Sequence, residues 1–238
     1  MALKNDCWLL TRPIAHRGLW GGDIVENSLT AFKAAADKGY PIEIDLFLTT
    51  DNEIVCFHDD TLTRMTGKRG KITEKSLAEL KALYLSGTNE KIPTLQEVLA
   101  VCRGKIPLLI EIKDQQNDYI VDKTVDILKN YEGEFAVQSF NPFYIKKVKR
   151  LAPEFICGVL GTHKKERGRI TNFVLKHLCF NFMIKPDFIS FHKEGLKFVK
   201  RKSKKTPVIA WTILNEKERE NLPPFVKNII FENFIPKE

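Results

Sequence analysis

The chain has 238 residues, 43% of them hydrophobic and 29% charged, and a formal net charge of +8. That is enough apolar material for one sizeable core, so a single domain over residues 1–238 is expected. No apolar run approaches the ~18 residues that a membrane-spanning helix needs, and the first thirteen residues lack the apolar block and small-residue cleavage site of a secretory leader.

Along the chain, short β-rich runs alternate with helical ones. The runs cover residues 13–15, 42–48, 54–57, 108–112, 135–139, 157–160, 188–191, 208–213 and 229–231. Nine is one too many for an eight-stranded barrel, and the connections single out the spare. Only Thr49 to Glu53 join the second run to the third, a hairpin length, whereas a parallel crossover needs a dozen residues or more. The third run is therefore read as a hairpin excursion after strand 2. The other eight, each followed by room for a helix, give the βαβα pattern of a parallel (β/α)₈ barrel.

In the first unit Asn27-Ser28 caps a helix through Ala31-Phe32-Lys33-Ala34-Ala35-Ala36 that stops at Gly39. Thr94 and Glu97 have capping-box spacing ahead of Val98-Leu99-Ala100-Val101. Residues of about 60–92 form an insertion with its own helical run, Ser76 to Leu80, placed to shape access to the active end.

The chemistry-bearing residues follow in the same order. His16 ends the first strand. Glu43 and Asp45 lie two apart on the second, so both carboxylates point to one side while Ile42, Ile44 and Leu46 point to the other. His58 ends the hairpin run, and Glu111 and Lys113 repeat the two-apart spacing on the next barrel strand. A salt bridge to Lys113 or an exposed edge would account for either acidic pair alone. Three carboxylates converging inside a barrel would repel without a cation, and all-oxygen ligation suits magnesium, calcium or manganese rather than zinc. Two imidazoles at strand ends suit phosphoryl transfer, one taking a proton and the other giving one. Arg17 and Lys113 are placed to stabilise phosphate oxygens, and Gly18 to let the backbone turn and approach a ligand. Trp211, read as ending a strand, is a candidate substrate contact and equally a core residue.

Other features carry blander readings. Cys7, Cys56, Cys102, Cys157 and Cys179 are odd in number and widely spread, which fits a reducing cytoplasm better than a disulfide framework. Three basic clusters, Lys146 to Arg150, Lys164-Lys165 with Arg167 and Arg169, and Lys200 to Lys205, read first as solvated faces and second as attraction for anionic partners. Phe180, Phe182, Phe188, Phe191 and Phe198 read as core, with transient membrane-surface docking as the other reading. His163, His177 and His192 follow no ligand spacing, and no catalytic role is expected for them.

The ordered set His16-Arg17-Gly18, Glu26-Asn27-Ser28 with Ala31-Phe32, Glu43-x-Asp45, His58-Asp59 with Leu62 and Arg64, and Glu111-x-Lys113 resembles the glycerophosphodiester phosphodiesterase family. The likeness continues through Ile92-Pro93-Thr94-Leu95, Gln138-Ser139-Phe140 and Trp211-Thr212-Ile213. It implies a TIM barrel of the phospholipase C-like phosphodiesterase type that hydrolyses glycerol 3-phosphate diesters. His16 and His58 would be its acid and base, with Glu43, Asp45 and Glu111 on one divalent cation, Mg²⁺ or Ca²⁺ with Mn²⁺ a further choice, and Arg17 and Lys113 on phosphate. Two departures stand out. Val25 and Ser28 replace the usual proline and threonine around Glu-Asn, and the last strand runs into Phe231-Glu232-Asn233-Phe234 where the family tends toward Thr-Asp-x-Pro.

A lysophospholipase D or sphingomyelinase D-like enzyme is the neighbouring alternative, sharing the histidines and acids. A non-catalytic polyanion binder is the distant one. No helix-turn-helix, zinc finger or aromatic RNA-binding signature accompanies the positive charge, so a small phosphodiester rather than nucleic acid is the expected partner.

Overall fold

A computed structural model describes residues 3–164 and 168–237. Lys165 and Arg167 of the second basic cluster lie outside the described residues. The nine strands are β1 (Ile14–His16), β2 (Ile42–Leu48), β3 (Ile54–Cys56), β4 (Leu108–Ile112), β5 (Phe135–Ser139), β6 (Cys157–Gly161), β7 (Phe188–His192), β8 (Val208–Ile213) and β9 (Val226–Phe231). They fall on the nine sequence runs. Two placements matter: β3 stops at Cys56, so His58 lies two residues past the strand, and β8 spans the same Val208–Ile213 as its sequence run, so Trp211 sits within a strand instead of ending one.

The described residues group into two compact units, one of residues 15–135 and one of residues 1–14 with 136–238. In the first, β2 is buried along its whole length, which is why it reads as a nearly continuous apolar run. It pairs in parallel with β1 and with β4. It pairs antiparallel with β3, Leu46 facing Cys56 and Leu48 facing Ile54, as a hairpin requires. The hairpin closes through Thr49, whose backbone N–H donates to the Glu53 carbonyl at 2.9 Å. Asn52 takes the left-handed conformation there at φ 61°, which asparagine tolerates better than most residues.

Two helices flank these strands in sequence, and both start as the cap residues predict. Ser28 accepts from the Ala31 N–H at 3.1 Å at the head of the helix Leu29–Asp37. Thr94 and Glu97 form a reciprocal capping box at the head of Leu95–Cys102. The insertion has an apolar core of its own. Leu62, Met65, Ile72, Leu80 and Leu85 pack with Phe47, Val55, Phe57 and Ile92 from the β2–β3 hairpin and beyond.

In the second unit β5 to β9 pair in parallel, each with the next. Registry across β6 and β7 explains two glycines. Gly158 faces Phe188 and Gly161 faces Phe191, and a Cβ at either position would come within 2.3–2.5 Å of the facing ring. Both phenylalanines are buried, as core packing predicts, but Phe182 is 80% exposed and departs from it. Asn228 on β9 ties in the N-terminal helix Trp8–Thr11, its side-chain amide donating to the carbonyls of Leu9 and Arg12. All five cysteines are free thiols. Burial pushes Cys102 and Cys157 up to about 12, which leaves them protonated and unreactive.

Candidate active site

Strand pairing brings the acids together. Parallel registry sets Asp45 of β2 beside Glu111 of β4 and Glu43 of β2 beside His16 of β1. One carboxylate oxygen from each of Glu43, Asp45 and Glu111 lies within 4.8 Å of the others, and all three side chains are buried. Every one of these residues belongs to the unit of residues 15–135.

The cluster carries its own partial counter-charge. Lys113 Nζ lies 2.8 Å from Asp45 Oδ1 and 3.0 Å from Glu111 Oε1. Arg17 donates from its backbone N–H to Glu43 Oε2 at 3.2 Å and holds Glu26 at 2.7 Å, its Nε lying 3.6 Å from Asp45. Asn27 adds an amide hydrogen bond to Asp45 Oδ2 at 2.9 Å. Burial and the neighbouring charges of Asp45 and Glu111 push Glu43 well above the usual carboxylate range. Burial acts the same way on Asp45, but Lys113, His58 and Arg17 outweigh it and hold that carboxyl far below its ordinary value. One group of the cluster therefore remains electrostatically unfavourable.

Arg17 is held in an unusual way. Its φ is 61° and that of Asn27 is 52°, left-handed conformations that cost roughly 1–2 kcal/mol each in a residue bearing a Cβ. The Asn27 N–H donates to the Arg17 carbonyl at 3.0 Å, locking the two together. Gly18 follows at φ 88°, and a Cβ there would lie 2.7 Å from the Ala31 backbone. The close approach made by this glycine is thus to the head of the first helix, and it fixes the turn that aims Arg17.

His58 is oriented by its neighbour. Its Nδ1 lies 2.7 Å from Asp59 Oδ1, and hydrogen bonds from His58 and Arg64 outweigh burial to hold the Asp59 carboxyl below its usual range. An ionised Asp59 can only accept, so His58 Nδ1 carries the proton and Nε2 is the working nitrogen. Arg64 then forks between Asp59 and Glu26, at 2.6 Å to each, and Glu26 joins Arg64 to Arg17. Asp59, Arg64 and Glu26 had no assigned role in the sequence reading beyond their place in the motif. The signal available was His58-Asp59 adjacency, which supplies a ring partner without any long-range information. His16 closes β1 with its Nε2 3.9 Å from Glu43 Oε2 and its carbonyl accepting from Trp20 Nε1 at 2.9 Å. Trp211 belongs to the other unit, where its ring packs edge-on against Phe140 at 5.7 Å and His192 at 5.1 Å.

In this network, among the described residues, Glu26, Glu43, Asp45, Asp59 and Glu111 meet three fixed cations, Arg17, Arg64 and Lys113. With every carboxylate ionised, the fixed groups alone set five negative charges against three positive ones, an excess of two. An all-oxygen donor set with that excess fits one hard divalent cation.

The model of the glycerophosphoryl diester phosphodiesterase family matches residues 16–235. The chain belongs to this family. It is an enzyme of the phosphodiesterase class, and its reaction is phosphodiester hydrolysis. It is 36% identical over 162 residues to a glycerophosphodiester phosphodiesterase of Caldanaerobacter subterraneus, covering 63% of this chain and 66% of the relative. It is 31% identical over 138 residues to a lysophospholipase D of Rattus norvegicus, covering 52% of this chain and 43% of that one. Among solved structures, an Oleispira antarctica phosphodiesterase in complex with the product sn-glycerol 3-phosphate superposes with a TM-score of 0.80 at 26% identity, over 94% of this chain and 93% of the other. The fold of this phosphodiesterase is accordingly the TIM barrel of eight parallel strands, with β3 as the extra strand that the hairpin reading singled out.

Proposed function

We propose that this phosphodiesterase hydrolyses glycerophosphodiesters to sn-glycerol 3-phosphate and an alcohol, with the whole chain acting as one catalytic domain. The observation that carries this reading is the buried Glu43, Asp45 and Glu111 cluster, three carboxylates offering oxygen donors within 4.8 Å of one another. These three residues would hold one divalent cation, Mg²⁺ or Ca²⁺, with Mn²⁺ a further candidate. Such an ion, when bound, polarises a phosphoryl oxygen and neutralises charge on it.

The chain's own groups do the rest. The Arg17 guanidinium and the Lys113 ammonium bind the non-bridging phosphate oxygens, where charge builds up as the bond to the leaving group breaks. One imidazole takes a proton from the attacking water as its oxygen bonds to phosphorus, and the other gives a proton to the departing alkoxide as its bond to phosphorus breaks. His58 suits either duty, because Asp59 fixes its tautomer and stabilises the imidazolium. Glu26 and Arg64 keep Asp59 and Arg17 in place. Five free thiols, three of them buried, support a reducing, cytoplasmic setting. The product held by the Oleispira phosphodiesterase supports a small-molecule substrate.

The test is release of glycerol 3-phosphate from glycerophosphocholine by EDTA-treated protein, then with magnesium, calcium or manganese restored. Activity recovered with one ion supports the assignment, and inactivity of folded protein with all three removes it. A lysophospholipid substrate is the second reading. It is favoured by the exposed apolar side chains Ile170, at 83% exposure, and Phe173, one turn apart on the helix Arg169–His177 that also carries Arg169 and Lys176, a pattern suited to an anionic lipid surface. Faster turnover on lysophosphatidylcholine than on glycerophosphocholine would select it.

A further inference from the structure

We propose that His163, His192 and Glu194 form a second metal site, a nitrogen-rich one that selects Zn²⁺ or a similar transition cation. The strands set it up. Gly161, the last residue of β6, pairs with Phe191 of β7, so the two strands end side by side. His163 lies two residues past one end, His192 is the last residue of the other, and Glu194 follows in the 3₁₀ turn Lys193–Phe198. One donor atom from each of the three lies within 4.8 Å of the others. The imidazole centroids are 5.3 Å apart, and His163 Nε2 is 3.5 Å from Glu194 Oε2.

Three further observations separate this cluster from a chance meeting of side chains. First, His192 is only 6% exposed and its Nδ1 is buried with no hydrogen-bond partner, while His163 turns its Nε2 toward Glu194. Buried imidazole nitrogens are ordinarily satisfied, and coordination is one way to satisfy them. Second, the backbone is shaped around the rings. A Cβ on Gly195 would lie 3.0 Å from His163 Nδ1 and 2.6 Å from the Phe191 ring, and Trp211 stands edge-on to His192 at 88°. Third, nearby positive charge is partly neutralised, since Lys193 is paired with Glu218 at 2.5 Å.

The donor set decides the metal class. Two imidazoles and one carboxylate, with Glu194 62% exposed on the solvent side, make the three-ligand, open-position arrangement that zinc favours. Nitrogen donors select zinc, nickel or copper over the hard cations that an all-oxygen cluster prefers. The site stands independently of the diesterase reading, because none of its residues is assigned to that chemistry.

The experiment titrates metal-stripped full-length protein with Co²⁺ in excess Mg²⁺, following visible d–d absorption, and repeats the titration calorimetrically with Zn²⁺. One equivalent should bind with a d–d band in wild type. His163→Ala and His192→Ala should each weaken binding by roughly 100-fold or more, and Glu194→Gln by ~10-fold, while Glu43→Gln leaves it unchanged. Because Glu194 is exposed, its variant keeps the test valid if removing His192 disturbs folding. Absence of the Co²⁺ band in wild type overturns the site, as does binding that survives in all three cluster variants or disappears in Glu43→Gln.

Discussion

The carboxylate cluster of residues 15–135 and the histidine cluster of residues 136–237 each gather three donors through a pair of neighbouring parallel strands, but by different routes. Glu43 and Asp45 sit on one strand and Glu111 on its parallel neighbour, in direct registry with Asp45. His163 and His192 come from two strands and Glu194 from a turn after the second. The first cluster is hard, buried and over-charged, and its own lysine and arginines compensate it in part. The second holds a single carboxylate beside two rings, and burial lowers the pKa of His192. Their difference lies in charge excess and donor hardness more than in the number of donors, and it is on those grounds that the first is proposed to take a hard divalent cation and the second a transition cation.

The largest effect expected from breaking the first cluster is on turnover. His16→Ala and His58→Ala should each lower kcat with glycerophosphocholine by ~10² or more while the far-ultraviolet circular dichroism stays unchanged, since general acid–base groups supply about that much. Near-normal turnover in either variant removes that histidine from the mechanism.

Next in size is a change of opposite sign in stability. Glu43→Gln deletes the carboxylate that burial and its neighbours hold above its ordinary range. In metal-free protein it should raise stability by roughly 1–3 kcal/mol while abolishing activation by a divalent cation. The pH dependence follows from the same shift. A carboxyl with a raised folded-state pKa keeps its proton longer in the native state than in the unfolded one. Metal-free wild-type stability should therefore fall as pH rises above the unfolded value of ~4.3 and flatten once the folded group ionises. Added Mg²⁺ should suppress that slope, and Glu43→Gln should lack it. Chemical denaturation between pH 4 and 8 measures both.

A smaller effect is expected at Arg64, which touches no proposed reacting atom but joins Asp59 to Glu26. Arg64→Ala should lower kcat by ~10-fold with little change in KM, and Arg64→Lys should recover only part, because a lysine cannot fork between two carboxylates. Equal loss in KM and none in kcat would make Arg64 a substrate-binding group instead. Smallest of all is Ile170→Ser on the exposed face of the helix Arg169–His177. It should change stability by less than ~0.5 kcal/mol, and weaker activity on lysophosphatidylcholine vesicles alone would tie that face to lipid.

Much of the first cluster was legible in the chain because its signals are local. Two-residue spacing on a strand fixes a common side for Glu43 and Asp45, and cap residues Ser28 and Thr94 mark where their helices begin. The five-residue link after Leu48 allows only a hairpin. What escaped the sequence depends on groups far apart in the chain. Arg64 and Glu26 are separated by 38 positions, and nothing in either segment announces the other.

The sequence by itself determined the strand and helix order, the hairpin excursion and the identity of the acids and histidines that line up with the family motif. These follow from periodicity, capping and spacing, which act over a few residues. The tertiary structure alone decided that Asp45 and Glu111 share a register, that Asp59 sets the His58 tautomer through an Arg64 fork, and that His163 meets His192. Those outcomes depend on which strands pair and in which register, and pairing is settled by burying apolar faces over the whole chain rather than by any local pattern.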